Sequence, residues 1–144
     1  AMIQLAERAL EARPEFKGRV SFIEDFIPSD SIPKQKYAVI MSNSFLHHLH
    51  DPQVLWETVK QAAQDNSFIF VSDLRRPQSV GEARTIVESL AGNELDILKR
   101  DFFNSLCAAF EPGEVEDQLR FAGLRGLTVE PLDEIHLVVY GFLT

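Results

Sequence analysis

The chain has 144 residues, 45% of them hydrophobic and 25% charged, an ordinary composition for a single globular domain that buries a sizeable core. Its formal charge of −8 argues against nonspecific nucleic-acid binding, because phosphate contacts need clustered Lys and Arg, and here only the pairs Arg75-Arg76 and Lys99-Arg100 stand together. No apolar run approaches the ~20 residues of a membrane span and no basic-then-apolar leader opens the chain, so neither nucleic acid nor membrane is an expected partner.

Met2 to Ala12 sets Met2, Leu5, Ala6, Ala9 and Leu10 on one helical stripe opposite Gln4, Glu7, Arg8 and Glu11, and Pro14 ends the pattern. An amphipathic helix that opens at the second residue, behind an Ala, suggests a truncated chain. Val20 to Ile23 has the length and composition of a short strand, and Phe26 to Lys36, with Pro28, Pro33 and two Ser residues, that of a loop. Tyr37 to Met41 and Phe68 to Val71 are nearly uninterrupted apolar runs, the pattern of strands covered on both faces.

Between them, Asp51-Pro52 opens a helix: the carboxylate can accept from orphan amides and Pro suits the first helical position. Val54, Leu55, Val59 and Ala62 face the core from it, with Trp56 at the flank. Ser79 and Glu82 have the spacing of a capping box for a helix through about Leu90. Asn93 is a candidate cap for the next helix, which carries Leu95, Leu98, Phe102, Phe103, Leu106, Ala109 and Phe110, more apolar surface than one core-facing stripe requires. Cys107, the single cysteine, falls inside this pattern, where it would act as a small buried hydrophobe in a reducing cytoplasm. Pro112 begins a last helix that Gly123 stops. Leu127 to Val129 and Ile135 to Phe142 form an antiparallel strand pair around residues 131–134. The order of elements specifies an α/β fold.

In such folds ligands bind at the carboxyl ends of the parallel strands. Ser42-Asn43-Ser44 ends the first central strand and is a candidate binding segment. Asp25-Phe26 ends the short strand and serves either as a structural turn or as a ligand contact. Asp73-Leu74-Arg75-Arg76 ends the second central strand. Its Asp and Arg residues either pair with each other, or Arg75 and Arg76 hold an anionic substrate. His47, His48, His50 and Asp51 do not have the disposition of a metal site, since adjacent histidines splay apart and Asp51 has a capping role. His47 and His48 are candidate proton acceptors, being side chains that titrate near neutrality. No Gly-x-Ser-x-Gly elbow indicates a hydrolase.

The run Ser42-Asn43-Ser44-Phe45-Leu46-His47-His48-Leu49, followed by Asp51-Pro52 and then by Asp73-Leu74-Arg75-Arg76-Pro77, resembles the post-cofactor half of the class I S-adenosylmethionine-dependent methyltransferases. The likeness extends back through Val20 to Phe26 and Met2 to Ala6, and forward to the C-terminus. It implies a Rossmann-like, mostly parallel sheet with an antiparallel C-terminal strand. It also implies S-adenosylmethionine as cofactor and methyl transfer to a small-molecule acceptor. Asp25 would accept from the adenine amino group and the Phe26 amide would reach the ring. The Ser42 carbonyl and the Asn43 side chain would approach the methionine portion, while one of His47 and His48 packs and the other lines the mouth of the site. The helix carrying Phe102 and Phe103 would form a lid over an apolar or aromatic acceptor.

The family's glycine-rich turn should precede Ala1, so the resemblance implies the C-terminal two-thirds of a domain that binds the donor weakly by itself. The same absence leaves exposed sheet edges, hence a homo-oligomer, and sets against methyl transfer the alternative of a catalytically inactive interaction or dimerisation module. Where the family has Gly-Gly before the second central strand, this chain has Gln64-Asp65-Asn66-Ser67, residues that tolerate turn conformations.

Overall fold

The computed structural model of the chain describes residues 2–29, 32 and 36–143, in two compact units, Ala1–Lys34 and Gln35–Thr144. In the first unit, helix α1 (Met2–Glu11) follows the predicted stripe, and a 3-10 turn at Pro14–Phe16 comes after it. No residue of α1 is buried. Val20 to Ile23 is irregular chain, not the expected strand, and Val20, Phe22 and Ile23 are exposed. A strand exists only through the ladder bonds of a neighbour, and among the described residues none pairs with this segment. Pro33, from the predicted loop, lies outside the described residues.

Among its described residues, the second unit is a four-stranded mixed sheet with four α-helices. Its strands are β1 (Tyr37–Asn43), β2 (Ala63–Leu74), β3 (Thr128–Pro131) and β4 (His136–Phe142), in the spatial order β1-β2-β4-β3. β1 and β2 run parallel, with Ile40 opposite Ile69 and Asn43 opposite Ser72. β4 is antiparallel to both β2 and β3. Three strands therefore share one direction and only β4 is reversed, as expected for a mostly parallel sheet with an antiparallel C-terminal strand.

β2 is central, and its alternate residues Ser67, Ile69, Val71 and Asp73 are buried. β1 is the outermost described strand, and Val39 and Met41 are 54% and 71% exposed, so it is not covered on both faces. An apolar run has the same composition at the rim of a sheet as at its centre, and only pairing separates the two.

Helix α2 (Gln53–Ala62) starts where Asp51 Oδ1 accepts from Gln53 N at 3.0 Å. It buries Leu55, Trp56 and Val59, so Trp56 belongs to the core and not to its flank. Trp56 Nε1 donates to Gln118 Oε1 at 3.1 Å, tying α2 to α5 (Pro112–Ala122). α5 opens on a reciprocal Glu111–Glu114 capping box and closes at Gly123, whose φ of 79° is the left-handed cap expected there.

Helix α3 (Val80–Ala91) has Ser79 Oγ accepting from Glu82 N at 3.1 Å, the predicted cap. α4 (Asp96–Ala108) is preceded by Leu95 in extended conformation, and Asn93 does not cap it. The turn before the core part of β2 is held by Ser67 Oγ, which donates to Tyr37 O at 2.5 Å and accepts from Gln64 N at 2.8 Å. Asn66 takes φ 62°, the left-handed conformation that Asn tolerates. No described helix is long and apolar enough to cross a membrane.

Candidate functional site

β1 and β2 end side by side, and both ends carry polar groups. After Asn43, Ser44 turns the chain at φ 50° while its amide donates to Ser72 O at 2.9 Å. The chain then enters a 3-10 turn, Leu46–His48, with Leu46 and His47 buried and His48 exposed. α4 lies alongside this turn.

The turn is anchored by Asp73, which is 2% exposed at the end of β2. Phe45 N and Leu46 N both donate to Asp73 Oδ2, each at 2.7 Å. Leu74 N donates to Oδ1 at 2.8 Å, and His47 Nδ1 stands 2.6 Å from the same oxygen. Burial by itself would raise the pKa of this carboxyl, but the His47 hydrogen bond and charge, with the Leu46 and Leu74 amides, outweigh it and hold the group below the ordinary carboxylate range. Asp73 is thus an ionised acceptor, and the His47 ring is oriented against it. The His48 ring lies over that of His47, with centroids 3.9 Å apart and planes tilted by 41°.

Ser42, half-buried, and Asn43, exposed, complete the end of β1, and Asn43 Nδ2 donates to Ser44 Oγ at 3.3 Å. The structure therefore gathers Ser42, Asn43, His47 and His48 at one end of the sheet, and adds Asp73. Sequence reasoning offered an Arg as one possible partner of Asp73 and missed its partnership with His47. The available signal was two residues at strand ends predicted to be adjacent, one acidic and one imidazole.

Arg75 and Arg76 are engaged by the chain itself. Arg75 Nη2 donates to Glu134 O at 2.9 Å, and its Nε is buried without a partner among the described residues. Arg76 donates to Ala109 O at 3.2 Å, Glu111 at 3.3 Å and Glu114 at 2.7 Å. The Glu114 hydrogen bond pushes the Arg76 pKa up, against a smaller opposing effect of burial.

Phe102 and Phe103 pack, half-buried, against the cluster of Ala83, Ile86, Val87 and Leu106 between α3 and α4. That cluster takes up part of the surplus apolar surface of α4, while Leu95, Ile97 and Leu98 stay exposed. Cys107 is exposed, not buried, because it follows Leu106 around the helix onto the outward side. Asp25 and Phe26 lie in the first unit, where Asp25 Oδ1 accepts from Phe26 N at 2.8 Å and Oδ2 bonds Ser29 Oγ. Phe26 is 87% exposed.

No protein-family model and no curated protein matches the chain. Solved structures do. A SAM-dependent methyltransferase from Aquifex aeolicus superposes with a TM-score of 0.59 at 14% identity, over 94% of this chain and 62% of that one. The plantazolicin methyltransferase BpumL, in complex with a pentazolic desmethylPZN analog and SAH, gives 0.65 at 15% identity, over 94% of this chain and 63% of its own. An O-methyltransferase family protein from Burkholderia thailandensis gives 0.63 at 14% identity, over 98% and 41%. The chain spans less than two thirds of the length of each of these structures. A sheet ordered β1-β2-β4-β3 with only β4 reversed, and polar groups gathered at the ends of β1 and β2, is therefore the fold of the SAM-dependent methyltransferases.

Proposed function

We propose that this chain contributes the greater part of an S-adenosylmethionine-dependent methyltransferase domain that acts on a small-molecule acceptor. The observation that carries this reading is the meeting of Ser42, Asn43, His47, His48 and Asp73 where β1 and β2 end, the ligand-binding end of such sheets. The crystallisation of BpumL with SAH and a desmethylPZN analog supports both the donor and a small acceptor.

The residues present suit the donor chemically. Asn43 is exposed, and its amide oxygen is a neutral acceptor of the kind that stabilises a nearby cation without proton exchange. The Ser42 carbonyl would act alongside it. By the resemblance alone, Asp25 would accept from the adenine amino group. Bound there, S-adenosylmethionine would supply a methyl group on an electrophilic sulfonium. The chain's own contribution is alignment of donor and acceptor, with His47 or His48 available to take a proton from the acceptor.

Calorimetric titration with S-adenosylmethionine, on the longest form of the protein containing these residues, tests the reading. Asn43→Ala and Asp25→Ala should each weaken binding ten- to a hundredfold, the loss of one hydrogen bond to a charged partner of about 1.5–3 kcal/mol. Cys107→Ala, at an exposed position, should bind as wild type. Wild-type affinity in both of the first two variants would place the donor elsewhere.

A second reading, a noncatalytic interaction module, is favoured by one feature, the exposed apolar residues Val39 and Met41 on the outermost described strand.

A further inference from the structure

Away from the strand ends, positive charge collects in one place. The chain carries 22 acidic and 14 basic side chains. Even so, a cleft of about 380 Å³ between α3 and α4 is lined by Arg84, Lys99 and Arg100 against one acidic residue, Glu88, with Val87 and Phe103 among them. Arg84, Val87 and Glu88 stand at i, i+3 and i+4 on α3, and Lys99, Arg100 and Phe103 at i, i+1 and i+4 on α4, so one side of each helix supplies the lining. None of the strand-end residues described above takes part in it.

Arg84 and Glu88 have the i, i+4 spacing at which opposite charges on a helix pair. They do not pair here. Glu88 Oε2 stands 3.5 Å from Lys99 Nζ, and the Arg84 guanidinium lies over the Phe103 ring, 5.5 Å from its centroid. Among the described residues no carboxylate pairs with Arg84. A cation–π contact offers the guanidinium no oxygen to bond, so its N–H donors remain for an anion. Arg100 Nε is 3.8 Å from Asp101 Oδ1, with both side chains mostly exposed, a contact that water screens. Between the charges the surface is apolar, with Val87 only 5% exposed and Phe103 half-buried.

We propose that the α3–α4 cleft is a binding site for a small aromatic carboxylate: Arg84 receives the carboxylate, Lys99 and Arg100 add positive charge, and Val87 and Phe103 carry the ring. Each part of the ligand answers a feature of the lining. Three cations select an anion, and the planar fork of an arginine matches the two oxygens of a carboxylate. The apolar floor favours a ring over a fully hydrated ion. The volume lies toward the small end of ligand sites, which run from about 300 to 1,000 Å³, so the ligand is of one or two rings. This site is separate from that of the methyl-transfer reading and does not depend on it.

Titration of cinnamate into the protein, followed by backbone and arginine side-chain NMR shifts, tests the assignment. Saturable shifts should centre on Arg84, Val87, Lys99 and Phe103. Arg84→Gln should weaken binding about ten- to a hundredfold, the loss of a hydrogen bond between charged groups. Arg84→Lys, which keeps the charge but not the fork, should recover only part of it. Cinnamyl alcohol, the same body without the charge, should leave these residues unshifted, and inorganic phosphate should displace cinnamate only at much higher concentration. Absence of saturable cinnamate binding, or an affinity unchanged in Arg84→Gln, overturns the proposal. So does equal binding of cinnamyl alcohol, which would make the cleft a plain apolar surface, or phosphate binding as tight as that of cinnamate, which would make it a general anion site. Arg84 is exposed on its helix, so its variants should fold; should they not, the three probes on the wild type decide.

Discussion

Asp73 satisfies two amides of a turn more than 25 residues earlier in the chain, at 2.7 Å each, and a histidine at 2.6 Å. Removing its carboxylate leaves buried donors without an acceptor, the situation in which a hydrogen bond is most expensive to lose. Asp73→Ala is expected to destabilise the protein by about 3–5 kcal/mol, the cost of breaking a buried charged pair, as read by urea denaturation. Arg76→Ala should cost less than about 1 kcal/mol, because Glu111 and Glu114 regain water when their partner leaves.

The same carboxylate sets an acid limit. Its folded pKa lies below its unfolded one, so its contribution is complete above the unfolded value of about 3.9 and disappears as the pH falls through the folded value. Glu114 and Asp133 shift in the same direction, but they are exposed and add less. The urea midpoint should hold between pH 7 and about pH 5 and drop below about pH 4, more steeply in wild type than in Asp73→Asn. A wild-type midpoint unchanged at pH 3 contradicts this account.

At the scale of elements, helices and turns follow local chemistry closely. Gly123 closes α5 at φ 79° with no atom within 4 Å of where a Cβ would stand, so Gly123→Ala is opposed only by the backbone and should cost about 1–2 kcal/mol. Gly141 in β4 differs. At φ 149° a Cβ there would meet Gly126 O at 2.9 Å and Leu127 Cα at 3.3 Å, backbone atoms that cannot swing away. Gly141→Ala should therefore lower the melting temperature clearly more than Gly123→Ala, and the reverse order would mean that β4 shifts to make room. Asn93 failed as a cap because α4 begins at Asp96, beyond the reach of its side chain's nearest orphan amides.

For the whole molecule, the outer side of β1 is the feature most open to association. Val39 and Met41 are exposed on a strand that pairs only with β2 among the described residues, and no charged side chain lies between Tyr37 and Asn43. Such an edge accepts another strand unless it is covered. Light scattering at micromolar concentration should show self-association, and Val39→Lys, which sets a charge on the edge, should reduce it. A cooperatively melting monomer in the wild type would mean that this edge does not recruit a second copy.

What the amino-acid sequence determined by itself was the kind and order of the elements and several of their ends. Asp51, Ser79, Pro112 and Gly123 act on backbone groups within a few residues, and apolar periodicity is a local property. The reversed final strand was legible for the same reason, as a short connection at Pro131 to Glu134 leaves antiparallel pairing the simplest outcome. Only the tertiary structure decided the partners of side chains distant in sequence. It gave Asp73 to His47 and not to an arginine, and Arg76 to Glu111 and Glu114. It set Phe102 and Phe103 against α3 and, among the described residues, placed β1 at the rim and left Val20 to Ile23 without a strand to pair with. Residue type states what bond a group can make, but which of several chemically equivalent partners it meets depends on how the intervening loops return the chain, and that is a property of the folded whole.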